Sequence, residues 1–304
     1  MSLRLRLLNL GLRLVARPMM ARATDPAASR RGFARVARLF RMPPYGLHLV
    51  APGQPPLHWV SCRRRQTAPV ILYFHGGAYV TGSPVTHLAL ITRLARLTGL
   101  PVVAPEYRLA PEHPAPAAYD DAMAAHARLM AIGYAPGEVI LAGDSAGGGL
   151  ALAVLAGLCA RGRRPAGLFA FSPWTDLALG SASLRDNAAR DVFLPAERIE
   201  AAIGLVRGGL AAADPRLSPL HAGFDRPPPV LLQVGTTEIL RDDSRRIAAV
   251  LRAAGGRVEL QEWRDCPHVW QILDGLLPEA RAALIEVAAF VAGLSSQPPP
   301  PAGS

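Results

Sequence analysis

The chain contains no lysine: all 33 basic residues are arginine, set against 23 acidic residues, for a formal charge of +10. Cysteine is scarce as well. Cys62, Cys159 and Cys266 are odd in number and lack metal-type spacing, which excludes a disulfide framework or a cysteine zinc site and fits reduced thiols in a cytoplasmic protein. Aromatic residues make up only 6% and are not interleaved with the arginines. Without a reader motif, the positive charge does not point to a nucleic-acid partner. No run approaches the roughly 20 uninterrupted apolar residues of a membrane span. What the chain does have is length and apolar content: half of its 304 residues are hydrophobic, enough for a sizeable core.

At the N-terminus, Arg4 and Arg6 precede a leucine-rich run, and Ala21-Arg22-Ala23 has the small residues of a cleavage site. Asn9 and Arg13 break the run, so it is too short for the apolar core of a signal peptide. Leu3, Leu7, Leu10 and Leu14 recur at helical spacing and predict an amphipathic helix flanked by arginines. A surface-lying membrane anchor is one reading of it; a helix packed over a binding cleft is the favoured one.

Six short β-rich runs alternate with longer helical ones. The runs are Val70 to Phe74, Val102 to Ala104, Val139 to Ala142, Leu168 to Phe171, Val230 to Val234 and Val258 to Leu260; the helical stretches are Thr86 to Leu97, Pro116 to Ile132, Ser145 to Ala160 and Asp242 to Ala254. This alternation predicts an α/β fold with a mostly parallel sheet covered on both faces. The rhythm stops between 181 and 221, a stretch with helix signals and no strand candidate. That insertion and residues 1–45 are expected to meet above the carboxyl ends of the strands, where open α/β sheets bind ligands. Residues 1–296 read as one domain, and the proline-rich 297–304 as a disordered tail.

Gly143-Asp144-Ser145-Ala146-Gly147 stands between the apolar run Val139 to Ala142 and a helix of small residues. A serine on a tight strand-to-helix turn has its hydroxyl pushed outward, and the turn needs small neighbours because strand and helix backbones nearly touch. A serine hydroxyl is a poor nucleophile near neutral pH and requires a base with a carboxylate to orient it. Only His221 and His268 follow Ser145, and only His268 sits in a loop after the last strand. Glu238, at the end of the Val230 to Val234 run, is the first candidate for the acid. Asp242 and Asp265 are its rivals, the first placed to begin a helix and the second awkwardly near His268. The loop His75-Gly76-Gly77-Ala78 directly follows a strand, and its backbone N–H groups, with that of Ala146, are candidates to hold a developing oxyanion.

With these residues in place, the chain resembles the bacterial hormone-sensitive-lipase-like esterases of the α/β-hydrolase superfamily over nearly its whole length. The resemblance rests on His75-Gly76-Gly77, Tyr107 to Pro114, Gly143 to Gly148, Ser172-Pro173-Trp174-Thr175-Asp176-Leu177 and Pro267-His268-Val269. It implies a central sheet of about eight strands, Ser145 as nucleophile, His268 as base, Glu238 in the acid position, and a helical cap made of 1–45 and 181–221. The implied activity is hydrolysis of short to medium acyl esters, or of a lactone, by a monomer or a homodimer joined through a sheet edge, with no metal or organic cofactor. A membrane-surface lipase and a non-catalytic binding protein on the same fold are the alternatives. Phe33, Phe40, Phe193, Leu194 and Leu205 are apolar cap residues expected at the substrate. Two positions depart from the family pattern: Ala78 stands where a third glycine is usual, and Glu238 where aspartate is commoner.

Overall fold

The computed structural model describes residues 1–38, 46–62 and 69–295. Three helices come first, α1 (Leu3–Gly11), α2 (Arg17–Arg22) and α3 (Pro26–Ala37), the first two joined by a π-helical turn at Leu12–Ala16. Strands β1 (Leu47–Ala51), β2 (Leu57–Ser61) and β3 (Val70–Phe74) follow, then α4 (Leu88–Thr98), β4 (Val102–Pro105), α5 (Ala117–Ala131), β5 (Val139–Asp144), α6 (Ala146–Cys159) and β6 (Gly167–Phe171). The 181–221 segment holds α7 (Ser183–Asp186), α8 (Ile199–Val206) and two 3₁₀ turns, and the chain closes with β7 (Val230–Gly235), α9 (Arg241–Ala253), β8 (Val258–Trp263) and α10 (Pro278–Ser295).

The eight strands form one sheet in the order β1-β2-β4-β3-β5-β6-β7-β8. The β1–β2 and β2–β4 pairs are antiparallel; the pairs from β4 to β8 are parallel. Every residue of β3, β4, β5, β6 and β7 is buried, as expected where helices cover both faces of a parallel sheet. The pleat divides the core in two. Val70, Leu72 and Phe74 point into a cluster with residues of α5, α6 and α9, while Ile71 and Tyr73 point to the opposite side, against α4 and α10.

The N-terminal helices lie against the 181–221 segment. Arg17 Nη2 donates to Ala188 O at 3.0 Å, Arg198 Nη2 donates to Ala23 O at 2.7 Å, and Arg13 reaches Arg190 O at 3.3 Å. Phe40 with the rest of 39–45, and the tail 297–304, lie outside the described residues. Among the described residues no helix is long and apolar enough to cross a membrane.

Candidate active site

β5 is an apolar strand that ends in Gly143-Asp144 and delivers Ser145 with φ 53° and ψ −123°. An L-residue in that region costs on the order of 1–3 kcal/mol, so the turn must be held from outside. Three backbone hydrogen bonds do so: Ser145 N to Phe171 O at 2.8 Å, Trp174 N to Ser145 O at 2.9 Å and Gly149 N to Ser145 O at 3.0 Å. The first turn of α6 presses onto the end of β3, where a Cβ at Gly147 would stand 2.1 Å from Phe74 O and 2.4 Å from His75 O. Only glycine permits that approach.

From Ser145 a chain of hydrogen bonds runs inward. His268 Nε2 lies 2.8 Å from Ser145 Oγ, and His268 Nδ1 lies 2.6 Å from Glu238 Oε2. The other Glu238 oxygen accepts from Ser172 Oγ at 2.8 Å and from Gly235 N at 2.6 Å, so the carboxylate is locked in one orientation. Glu238 is buried and the His268 side chain nearly so, while Ser145 keeps some exposure. Burial works against an imidazolium at His268, but the hydrogen bond and charge of Glu238, with the charges of Asp191 and Asp144, outweigh it and raise its pKa above the ordinary value. A histidine held this way accepts the serine proton readily and is stabilised once charged. The acid turn and the histidine loop touch: a Cβ at Gly235 would lie 2.0 Å from Cys266 O.

Beside the serine, Gly77, Ala78 and Tyr79 all have positive φ, 120°, 54° and 58°. Ala78 therefore carries the left-handed strain that a third glycine would avoid. Gly76 is a correction: its N–H is given to Asp144 Oδ1 at 2.9 Å, which removes it from the candidate oxyanion donors. Gly77 and Ala78 remain, with Ala146, whose N–H heads α6 and has no acceptor within the helix. Asp144 is the buried post for this loop. Tyr73 Oη donates to it at 2.7 Å and His87 Nε2 lies 3.4 Å away. Burial opposes its charge, but His87, Tyr73 and His75 together hold its pKa below the usual carboxylate value. His75, stacked on Tyr107 at 4.2 Å, is pushed down to about 3 by burial and by the nearby His87, and stays neutral.

This arrangement can be set beside known proteins. A profile for the alpha/beta hydrolase fold matches residues 71–272. A Streptomyces hygroscopicus protein named acetyl-hydrolase is 40% identical over 247 residues, which span 80% of this chain and 81% of that one. A protein named esterase from Acinetobacter venetianus is 39% identical over 227 residues, 74% of this chain and 75% of that one. The crystal structure of an esterase from the bacterial hormone-sensitive lipase family superposes with a TM-score of 0.90 at 34% identity, covering 97% of this chain and 99% of the other. The chain belongs to the bacterial hormone-sensitive lipase family of α/β hydrolases.

In this family member the two rival carboxylates are occupied elsewhere. Asp242 accepts from Ser183 N at 3.0 Å and pairs with Arg241 and Arg245, fastening the 181–221 segment to α9. Asp265 has its N–H on Thr236 Oγ1 at 3.1 Å, its carbonyl on Asn9 Nδ2 at 2.8 Å and its carboxylate 3.5 Å from Arg264. Of the apolar candidates, Phe193 stacks over the His268 ring at 6.3 Å. Phe33 meets His87 edge-on at 5.7 Å, one ring removed from His75. Leu194 and Leu205 part company: the first packs against the main core, and the second is 36% exposed.

Two residues of this hydrolase site escaped the sequence reading. Ser172, at φ 45°, lies in the quoted Ser-Pro-Trp-Thr-Asp-Leu motif, but its contact with Glu238 is made across the sheet. Asp191 is buried and accepts from Ile239 N, Phe193 N and Leu194 N, each at 2.9 Å. It ties the residue after Glu238 to the segment that covers His268. Burial and the charge of Glu238 raise its pKa in spite of those three donors. An isolated aspartate in a helical insertion carries no sequence signal for that part.

Proposed function

We propose that the chain hydrolyses short to medium acyl esters through an acyl-enzyme formed on Ser145. The single observation that carries the reading is the unbroken line from Ser145 Oγ to His268 at 2.8 Å and on to Glu238 at 2.6 Å, built on a serine at φ 53°. His268 takes the proton as Ser145 attacks the acyl carbon, then returns it to the departing alkoxide; water activated by the same imidazole releases the acid. The N–H groups of Gly77, Ala78 and Ala146 receive the oxyanion, each worth about 3–4 kcal/mol of transition-state stabilisation. Phe193 and Leu194 border the substrate on the His268 side and Phe33 on the His75 side. The same machinery opens a lactone, whose leaving alkoxide stays attached to the acyl chain. The three free cysteines fit a cytoplasmic enzyme. The outer edge of β8 is a surface on which a homodimer would pair.

The test is a chromogenic ester series from acetate to palmitate with a lactone panel, run on the wild type and Ser145→Ala. Serine-dependent turnover that is greatest on short chains supports the reading. A maximum on long chains replaces it with a lipase, and no turnover by folded protein replaces it with a binding protein.

A further inference from the structure

Helix α1 and the π-helical turn that continues it carry leucine on two opposite faces. Leu5, fully buried, and Leu8 join an apolar cluster with Trp270, Leu273 and Leu277. On the other face Leu3, Leu7, Leu10 and Leu14 are 71%, 62%, 54% and 66% exposed. Their spacing keeps them in one line along the helix. Val15 and Met19, 62% and 63% exposed, extend the apolar surface beyond it. Packing onto the body accounts for the inner face only. A contiguous outer row of large apolar side chains marks an interaction surface.

The charges around this row decide what it meets. Residues 1–24 contain five arginines and no acidic residue. Arg6 and Arg13 border the leucines on one side by helical position and Arg4 on the other. Arg4 also leads into an open surface cavity of about 420 Å³ that it lines with Arg93, Arg96, Arg281, Asp274 and Leu276. Arg93 pairs with Asp274 at 2.6 Å, Arg281 lies 3.6 Å from the same carboxylate, and Arg4 donates to Leu276 O at 3.3 Å. One carboxylate thus faces four guanidinium groups, and Leu276, 55% exposed, adds an apolar side chain beside them. A second copy docked through the same face would set these arginines against their own counterparts, a like-charge contact. Apolar side chains rimmed by arginine on a helix lying along the surface suit an anionic bilayer.

We propose that this face docks on an anionic lipid bilayer, with the α1 leucine row at the headgroup–acyl boundary and the arginine cavity receiving a lipid phosphate. Asn9 Nδ2, on the inner side of the same helix, donates to Asp265 O at 2.8 Å and so fastens the helix to the loop that carries His268. The inference concerns where the enzyme sits and does not depend on which ester it hydrolyses.

Flotation of the full chain decides it, with vesicles of phosphatidylcholine alone and of phosphatidylcholine mixed with phosphatidylglycerol. Recovery with the anionic vesicles only, reversed by added salt, is expected. Leu7→Ser/Leu10→Ser/Leu14→Ser and, separately, Arg4→Glu/Arg96→Glu should each lower partitioning by about tenfold or more. Both should hydrolyse a water-soluble acetate ester at the wild-type rate, which shows the fold intact. No recovery with anionic vesicles overturns the proposal, as does recovery unchanged in both variants. Self-association lost in the leucine variant of a protein that never floats identifies a second copy instead. Inorganic phosphate binding lost in the arginine variant, without flotation, identifies a free-anion site; either result refutes the bilayer.

Discussion

Ser172 Oγ donates to Glu238 Oε1 at 2.8 Å, on the carboxylate oxygen turned away from His268. Ser172 is wholly buried and its own N–H is fixed to Gln233 O at 2.7 Å, so β6 and β7 together aim the acid at the base. Ser172→Ala removes one of the two donors that fix this oxygen. The expected result is a several-fold fall in kcat with KM little changed, and a loss of about 1 kcal/mol in stability. Steady-state kinetics and urea unfolding on the same preparation check both.

Glu238→Ala should lower kcat by about ten-thousandfold, the size of effect found when a triad acid is lost. Asp265→Ala should leave kcat near the wild-type value. Asp242→Ala should act on stability instead, because its carboxylate holds Ser183 N and two arginines. If the Asp265 change proved worse than the Glu238 change, the acid would have to be reassigned.

The rate should depend on neutral His268. Since Glu238 raises the histidine pKa above its ordinary 6.5 despite burial, the acid limb of kcat/KM should have its midpoint above that value. Glu238→Gln removes the opposing charge and leaves burial to act, so the residual activity should show its midpoint shifted downward. A pH–rate profile of the two proteins measures the difference, and equal midpoints would rule out Glu238 as the source of the shift.

Asp243 is buried and accepts from Thr175 N, Asp176 N and Ser181 Oγ. Burial pushes its carboxyl up from 3.8 to about 6, so the folded chain keeps a proton that the unfolded chain has released. Its contribution to stability is therefore full below the lower value and falls by about 3 kcal/mol as pH rises to the upper one. Asn at this position keeps an acceptor for the two backbone N–H groups and never ionises. Asp243→Asn should flatten this part of the stability profile, read as the difference from wild type in unfolding midpoints between about pH 4 and pH 7.

Gly147→Ala should be severely destabilising, by more than about 3 kcal/mol, because its Cβ meets backbone oxygens that cannot move aside. Ala78→Gly relieves a positive φ of 54° but frees the unfolded chain, so stability should change by less than about 1 kcal/mol with turnover kept. Thermal unfolding of the two variants separates close approach from backbone strain.

What could be read from the sequence follows from locality. Strands β3 to β7 announce themselves as apolar runs because both faces are covered, and β8, a partly exposed edge strand, by the alternation Val258-Glu259-Leu260; the positions of Ser145, Glu238 and His268 follow from where those strands end. β1 was not legible: it is a largely exposed edge strand, with Leu47, Leu49 and Val50 open to water. β2, a five-residue strand, pairs antiparallel outside the βα rhythm, and α10 follows the last strand with no further unit to mark it. The strain at Ala78 was legible as a missing glycine. The engagement of Gly76 with Asp144, and the parts played by Ser172 and Asp191, were not, because each is a contact between segments distant in sequence.

The most direct test of an acyl-enzyme on Ser145 is peptide mapping after reaction with a p-nitrophenyl carbamate, which leaves its carbamoyl group on the attacking atom. One carbamoyl per chain on Ser145, absent from Ser145→Ala and much slower to form in Glu238→Ala, is the result expected. An adduct on a cysteine or on His268 in the wild type, with Ser145 unmodified, would contradict it.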